Sequence, residues 1–261
     1  MVLLPQLFFM SNIYSSLSHL YEMMYQSFIN YDEEYSYYSE ILKNYNFNSI
    51  IELGCGTGSL ASRFIKNGYN YSGLDVSDDM LGIARSKNHG SEFLSGDMTS
   101  FQLKDKKEAC IIAGRTISYL LRNQELIDCF NSIYKNLKTD GIVCFDSIDA
   151  EKFIPTIRNG KRIMHDAEFE NRKFQRESFW SVPESDNGAF NWKSVFYEEK
   201  RNGNLEKIGE DESVLRSFSK KEMCLFLEGC NFRIESIEDR PSYAFDTFVI
   251  VAQKNPDHGN V

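Results

Sequence analysis

Ser49-Ile-Ile-Glu-Leu-Gly-Cys-Gly-Thr-Gly58 is the stretch that decides the fold. A short β-branched run enters a glycine cluster, and Ser59-Leu-Ala-Ser-Arg-Phe-Ile-Lys66 leaves it with a helical pattern. The reading is a strand, a tight turn and a helix N-terminus. Glycine is needed where such a turn takes conformations closed to residues with a Cβ, and where a ligand approaches the backbone. Asp75, at the end of the next apolar run, is placed to accept hydrogen bonds from ribose hydroxyls. The glycines at 54, 56 and 58 are spaced Gly-x-Gly-x-Gly, not the Gly-x-Gly-x-x-Gly of dinucleotide sites. Glu52, two residues before the first of them, would repel a pyrophosphate but suits a ligand carrying an ammonium group. An adenosine-type cofactor is expected, and a nicotinamide oxidoreductase is disfavoured.

Outward from this loop the first half alternates strand and helix. Strands are expected at 49–54, 70–75, 92–95, 109–113 and 142–148, with helices at 58–67, 77–87 and 122–137. Ser77 reads as an N-cap followed by two acids that suit a helix start, and Thr139-Asp-Gly141 as a turn. Residues 11–44 read as helical and cover the cofactor end. This rhythm predicts an α/β fold, a doubly wound and mostly parallel sheet whose ligands bind at the carboxyl ends of the strands. The pattern changes after about residue 150. Glu168–Val182, Gly188–Lys200 and Leu205–Leu215 alternate like strands, with turn signals at Pro183-Glu-Ser-Asp-Asn-Gly188 and Asn202-Gly-Asn204. They predict an antiparallel meander, with Trp180 and Trp192 building its small core. Ser219-Lys-Lys-Glu222 reads as a capping box for a helix to about Gly229, and two strands near 232–238 and 245–252 complete seven. The expected organisation is one domain from 11–150 and 217–253, an inserted subdomain at 151–216, and flexible tails at 1–10 and 254–261, with Met10 a second candidate start.

The 261 residues carry a net charge of −9, with no dense Lys/Arg cluster. Nucleic-acid binding usually needs a basic stripe to displace counterions, so methylation of DNA or of bulky RNA is disfavoured. No segment reaches the length of a membrane span. Six cysteines show neither a Cys-x-x-Cys pair nor histidines at metal spacing, which reads as free thiols in a cytoplasmic protein without a metal.

At four places the chain resembles the class I S-adenosylmethionine-dependent methyltransferases. Glu52-Leu-Gly-Cys-Gly-Thr-Gly58 matches the family's first motif and Gly73-Leu-Asp-Val-Ser-Asp-Asp-Met-Leu81 its second. Ser95-Gly-Asp-Met98 is similar to the third, and Gly114-Arg-Thr-Ile-Ser-Tyr-Leu120 to the segment facing the transferred methyl. Within the class, Tyr21-Glu-Met-Met-Tyr25 and the Ser217-Phe-Ser-Lys-Lys-Glu-Met region look most like small-molecule N-methyltransferases acting on nucleotide-linked amino sugars. The resemblance implies a seven-stranded Rossmann-like methyltransferase fold, with S-adenosyl-L-methionine as cofactor and S-adenosyl-L-homocysteine as product. It implies cofactor contacts at Glu52, Gly54, Cys55, Gly56, Gly58, Asp75, Val76, Met80, Gly96, Asp97, Met98 and Ala113. Cys55 presents backbone only, Met80 is either an adenine contact or core, and Asp97 meets the adenine amino group.

On the acceptor side the resemblance implies Tyr25, with Tyr21 its rival, and Tyr119 as catalytic residues. Arg115, Ser118 and His165 are candidates for the acceptor itself: Arg115 for a phosphate or carboxylate, His165 as a base in the inserted lid. The expected partner is a small-molecule substrate, with neither nucleic acid nor membrane, for a monomer or homodimer. Three functions stay open at this point. They are amine methylation, oxygen or carboxylate methylation on the same scaffold, and binding of the cofactor without turnover.

Overall fold

The computed structural model describes residues 14–256 except 16, 184–187, 241 and 243. The expected amino-terminal tail with Met10, the tip of the Pro183–Gly188 turn, and the tail from 257 with His258 lie outside the described residues.

The first sheet has seven strands: β1 (Ser49–Leu53), β2 (Asn70–Asp75), β3 (Glu92–Ser95), β4 (Lys107–Ile112), β5 (Leu137–Ile148), β10 (Phe232–Asp239) and β11 (Thr247–Lys254). Their order is β10-β11-β5-β4-β1-β2-β3, and only β11 pairs antiparallel with its neighbours. β1 lies between β4 and β2, so the order reverses at its carboxyl end, where the glycine loop emerges. This crevice is where a doubly wound sheet binds its ligand.

Successive residues face opposite layers, as strand geometry requires. Ile51, Ile112, Val143 and Phe145 pack against α5 (Asn123–Asn136) and α7 (Lys220–Gly229). Ile50, Ile111, Ile142 and Cys144 pack on the other face against α2 (Tyr31–Asn44), α3 (Ser59–Lys66) and α4 (Asp78–Lys87). Covered on both faces, the strands read as nearly continuous apolar runs. All six cysteines are free thiols. No helix among the described residues is long and apolar enough to cross a membrane.

The second sheet is an antiparallel meander of four strands, β6 (Lys161–Phe169), β7 (Arg172–Ser181), β8 (Ala189–Glu199) and β9 (Leu205–Arg216), in that order. The expected single strand over Glu168–Val182 is therefore corrected. It is broken by a two-residue turn at Glu170–Asn171, both left-handed (φ 51° and 61°), which pairs β6 with β7. Hairpin turns of this kind usually announce themselves with glycine, and this one has none. Trp180 is buried against Phe153, Phe190 and Phe245, and Trp192 is half-buried beside it.

Other expectations change in detail. The helical run expected at 11–44 is two helices, α1 (Ser18–Phe28) and α2, because Asn30 accepts from the backbone N–H groups of Asp32 and Glu33 and starts a new one. α6 (Ala150–Ile157), capped by Asp149, went unforeseen because Pro155 inside it reads as a helix breaker. The turn expected at Thr139–Gly141 is an irregularity within β5, with Asp140 at φ 60°. Ser219 caps α7 as expected, but Glu222 binds Arg216 rather than completing the box. The carboxyl tail does not begin at 254: Lys254 is buried in β11, its Nζ donating to Tyr134 O.

Candidate active site

The glycine loop folds back on the next strand through its backbone. Gly54 and Cys55 N–H both donate to Leu74 O, at 2.7 and 3.1 Å. Gly54 has φ 70°, and a Cβ there would lie 2.3 Å from Thr116 Cγ2, so the loop leaves no room for a side chain. Gly54→Ala is expected to lower the melting temperature by several degrees and to abolish cofactor binding, as a thermal melt and calorimetric titration would show. At Gly56 a Cβ would meet nothing within 4 Å, so that face of the loop is open.

Asp75 holds the loop from the end of β2. Its Oδ2 accepts from Gly56 N–H at 2.8 Å and its Oδ1 from Ser77 N–H at 2.9 Å. Burial raises its carboxyl above the ordinary value, while these N–H groups restrain the rise. Each oxygen keeps a further lone pair for a ligand. Glu52 lies buried in β1 and accepts from Tyr71 Oη at 2.6 Å. Burial pushes the Glu52 carboxyl up to about 8, against the pull of that hydrogen bond, and the charge of Asp75 adds to the rise. Gly96 N–H donates to Asp75 O at 3.0 Å, joining the third motif to the second. Asp97 uses Oδ1 for Thr99 N–H and Oγ1, both at 2.8 Å. Met98 and Ala113 are partly buried, Met80 is wholly buried in α4, and Val76 is 58% exposed. Burial pushes the Cys55 thiol well above its ordinary value, which leaves it inert.

Arg115 follows β4 in a left-handed conformation (φ 63°), its N–H donating to Asp146 Oδ1 at 2.8 Å. Burial lifts the Asp146 carboxyl to about 6, opposed chiefly by the Arg115 charge. The Arg115 guanidinium lies 5.1 Å from the Phe245 ring centre. A 3-10 turn, Thr116–Tyr119, brings Tyr119 Oη within 2.6 Å of Tyr14 Oη. Tyr25 stacks on Tyr21 with ring centres 3.9 Å apart, and its hydroxyl accepts from Arg176 Nη1 at 2.8 Å. Tyr14, Tyr21, Tyr25, Tyr119, Trp192 and Phe245, with Arg115, wall a cavity of about 40 Å3.

Of the acceptor-side candidates, Tyr25, Tyr119 and Arg115 thus come together around one cavity. Ser118 does not: it is wholly buried under the 3-10 turn, with no surface on which to meet an acceptor. His165 lies in β6 outside the lining, where Nδ1 accepts from Arg176 Nη2 at 3.3 Å. Burial, then the Arg176 charge, pushes His165 down to about 4, so it is neutral at pH 7 and a weak base.

α1 covers the site. Ser77 Oγ donates to Tyr14 O, Gln26 Nε2 to Ser59 Oγ at 2.7 Å, and Lys87 Nζ to Glu22 Oε1 at 2.6 Å. The segment thereby bridges the starts of α3 and α4 to the second sheet. Tyr14, Tyr71, Asp146, Arg176 and Phe245 were not singled out from sequence, and only the tyrosine-rich amino-terminal region carried a signal for any of them.

Residues 50–141 match a family model described as a methyltransferase domain. A protein of Geobacillus sp. (strain WCH70) that bears the name of a methyltransferase is 30% identical over 175 residues, spanning 64% of this chain and 68% of that protein. The dTDP-3-amino-3,4,6-trideoxy-alpha-D-glucopyranose N,N-dimethyltransferase of Streptomyces venezuelae is 31% identical over 96 residues, 37% of this chain and 40% of that one. The fold is also that of an amino pentose methyltransferase from Micromonospora echinaspora, solved with S-adenosylmethionine. It has a TM-score of 0.76 at 16% identity, over 97% of this chain and 100% of that chain.

Proposed function

The chain belongs to the S-adenosylmethionine-dependent methyltransferases, and from that membership we propose that it methylates the amino group of a small acceptor, a nucleotide-linked amino sugar. The observation that carries this reading is the chemistry of the cavity wall: six aromatic rings and one guanidinium, with no carboxylate among the described lining residues. Ring faces attract a cationic amine. Arg115 binds the negatively charged phosphates of the same molecule. The named activity of the Streptomyces venezuelae relative is in keeping with such an acceptor.

The cofactor half fits its ligand. The open face over Gly56 admits a nucleoside, Asp75 holds the ribose hydroxyls, Glu52 faces the ammonium end, and Asp97 takes the adenine amino group. S-adenosylmethionine supplies a methyl group on a sulfonium, already activated for in-line displacement. What remains for the chain is to bind, align and dry the reactants, which in well-oriented cases supplies up to ~7–11 kcal/mol. Arg115 anchors the acceptor, Tyr25 and Tyr119 orient its nitrogen, and Trp192 and Phe245 exclude water. The amine enters as the ammonium and must lose a proton to become nucleophilic.

The test is a methyl-transfer screen, by mass spectrometry, of nucleotide-linked amino sugars, simple amines and carboxylic acids. Transfer to the first class is expected, and transfer only to carboxylic acids would sink the reading. Arg115→Met is expected to raise KM for a dTDP-linked amino sugar by about tenfold or more, with kcat little changed, since it removes a charge-assisted contact of about 1.5–3 kcal/mol.

A further inference from the structure

Tyr71 stands diagonally across from Glu52 on the neighbouring strand. In the register of β1 with β2, Glu52 lies opposite Gly73 and Ile50 opposite Tyr71. Gly73 offers no side chain to a carboxyl, and a Cβ there would lie 2.8 Å from Cys55 Sγ and 3.0 Å from Phe93. The partner of Glu52 is therefore the residue two places earlier on the same face of β2, within reach of a long side chain. Tyr71 Oη donates to Glu52 Oε2 at 2.6 Å. The two residues are 5% and 4% exposed. Phe64 from α3 and Phe93 from β3 flank the phenol, with ring centres 6.5 and 5.9 Å away. This packing fixes the ring, and with it the hydroxyl on Glu52.

The hydrogen bond is not indifferent to the two forms of Glu52. A carboxylate accepts a charge-assisted bond roughly twice as strong as a neutral one, so the phenol favours the ionised form. Burial, then the charge of Glu52, raises Tyr71 well above the ordinary tyrosine value, so it stays protonated and remains a donor. With Oε2 engaged, Oε1 is left to meet a cation. The other titratable groups facing the pair are Asp75 at the end of β2 and Cys55 in the glycine loop. Arg85, whose Nη2 donates to Phe93 O at 2.9 Å, acts on Cys55 from α4. The charge of Asp75 opposes ionisation of Glu52, whereas Tyr71 promotes it.

We infer that Tyr71 is a positioning residue for the cofactor, acting through Glu52: it holds that carboxylate in the charged form and orientation that receive the ammonium of S-adenosylmethionine. This rests on the reading of Glu52 given above. When the ligand arrives, the Glu52 O–H breaks and its proton leaves to solvent, while the ammonium and Tyr71 keep theirs. The nucleoside end, held by Asp75, gains nothing from Tyr71.

Titration calorimetry at pH 7 compares S-adenosylhomocysteine with 5′-methylthioadenosine, which shares the nucleoside but carries no ammonium. Tyr71→Phe is expected to bind the first about tenfold more weakly and the second within about twofold of wild type, since it loses a bond that is stronger to the charged form. In a Glu52→Gln background the same substitution is expected to change neither affinity by more than about threefold. Protein labelled with 13C at glutamate Cδ reads the cause without any ligand. The Glu52 signal, identified by its loss in Glu52→Gln, is expected to titrate at about 8 in wild type. In Tyr71→Phe its midpoint should lie about one pH unit higher, which is the same tenfold expressed in protons. Substituting 3-fluorotyrosine at position 71, a more acidic donor of nearly the same shape, should move it the other way. Equal losses for both ligands, or a Glu52 signal that neither substitution moves, overturn the role of Tyr71 and leave the Glu52 reading intact. Glu52→Gln protein that binds S-adenosylhomocysteine as tightly as wild type overturns the Glu52 reading, and the task of Tyr71 with it.

Discussion

Asp75→Ala is expected to weaken binding of S-adenosylhomocysteine by about two to four orders of magnitude, with the fold retained. Two losses add. Hydrogen bonds from ribose hydroxyls to a carboxylate are each worth about 1.5–3 kcal/mol, and about 3–6 kcal/mol corresponds to that span of affinity. The substitution also releases Gly56 N–H and Ser77 N–H, which the carboxylate holds at 2.8 and 2.9 Å, so the loop is no longer preset for its ligand. Asp75→Asn keeps one acceptor oxygen and is expected to fall between. Titration calorimetry measures the loss, and a far-ultraviolet melt checks the fold. A change of less than fivefold would remove Asp75 from the binding machinery.

The second large effect is on pH. In the free protein Glu52 titrates at about 8, so at neutrality it holds a proton that the unfolded chain, with an ordinary carboxyl near 4.3, has released. A raised carboxyl contributes stability in full below the ordinary value and loses it as pH climbs through about 8. The free protein should therefore soften over that window by about 1.4 kcal/mol per pH unit from this group. A ligand ammonium beside Glu52 reverses the preference, favouring the carboxylate and expelling the proton. Because binding releases a proton, affinity for S-adenosylhomocysteine is expected to rise about tenfold per unit between roughly pH 6 and 8, levelling off where Glu52 is already ionised. Calorimetry in buffers of different ionisation enthalpy counts the proton directly. Glu52→Gln should bind with no such slope, and a wild-type affinity flat across this range would count against the assignment.

What could be read from the sequence divides along the same line as the site. The cofactor half was legible because its information is local. Glu52, the three glycines and Asp75 lie in β1, the loop that follows it and the end of β2, and the turn geometry demands the glycines. The cavity on the other side is walled by Tyr14, Tyr119, Trp192 and Phe245, among others, which come from separate segments and meet only through tertiary packing. The errors of architecture have the same origin. A Glu-Asn hairpin and a proline within a short helix both run against local propensity and are held by what packs on them. His165 lies in the inserted sheet as expected, outside the cavity lining and with Arg176 on its Nδ1, a placement no local pattern reveals.

The cover formed by α1 and the residues before it sets how readily an acceptor is captured. A cavity of about 40 Å3 holds a water or two, whereas sites for small molecules commonly span about 300–1,000 Å3. An acceptor of that size is therefore expected to enter only molecules in which this segment has swung away. Opening breaks the contacts of Tyr14 with Ser77 and Tyr119, of Gln26 with Ser59 and of Lys87 with Glu22. Together with the burial of Leu20, Met24 and Tyr25 against the second sheet, these contacts keep the receptive form a small minority. Apparent acceptor affinity is diluted by that same fraction, so changes to Glu22 or Gln26, which lie outside the cavity lining, should tighten capture by making the receptive form more common.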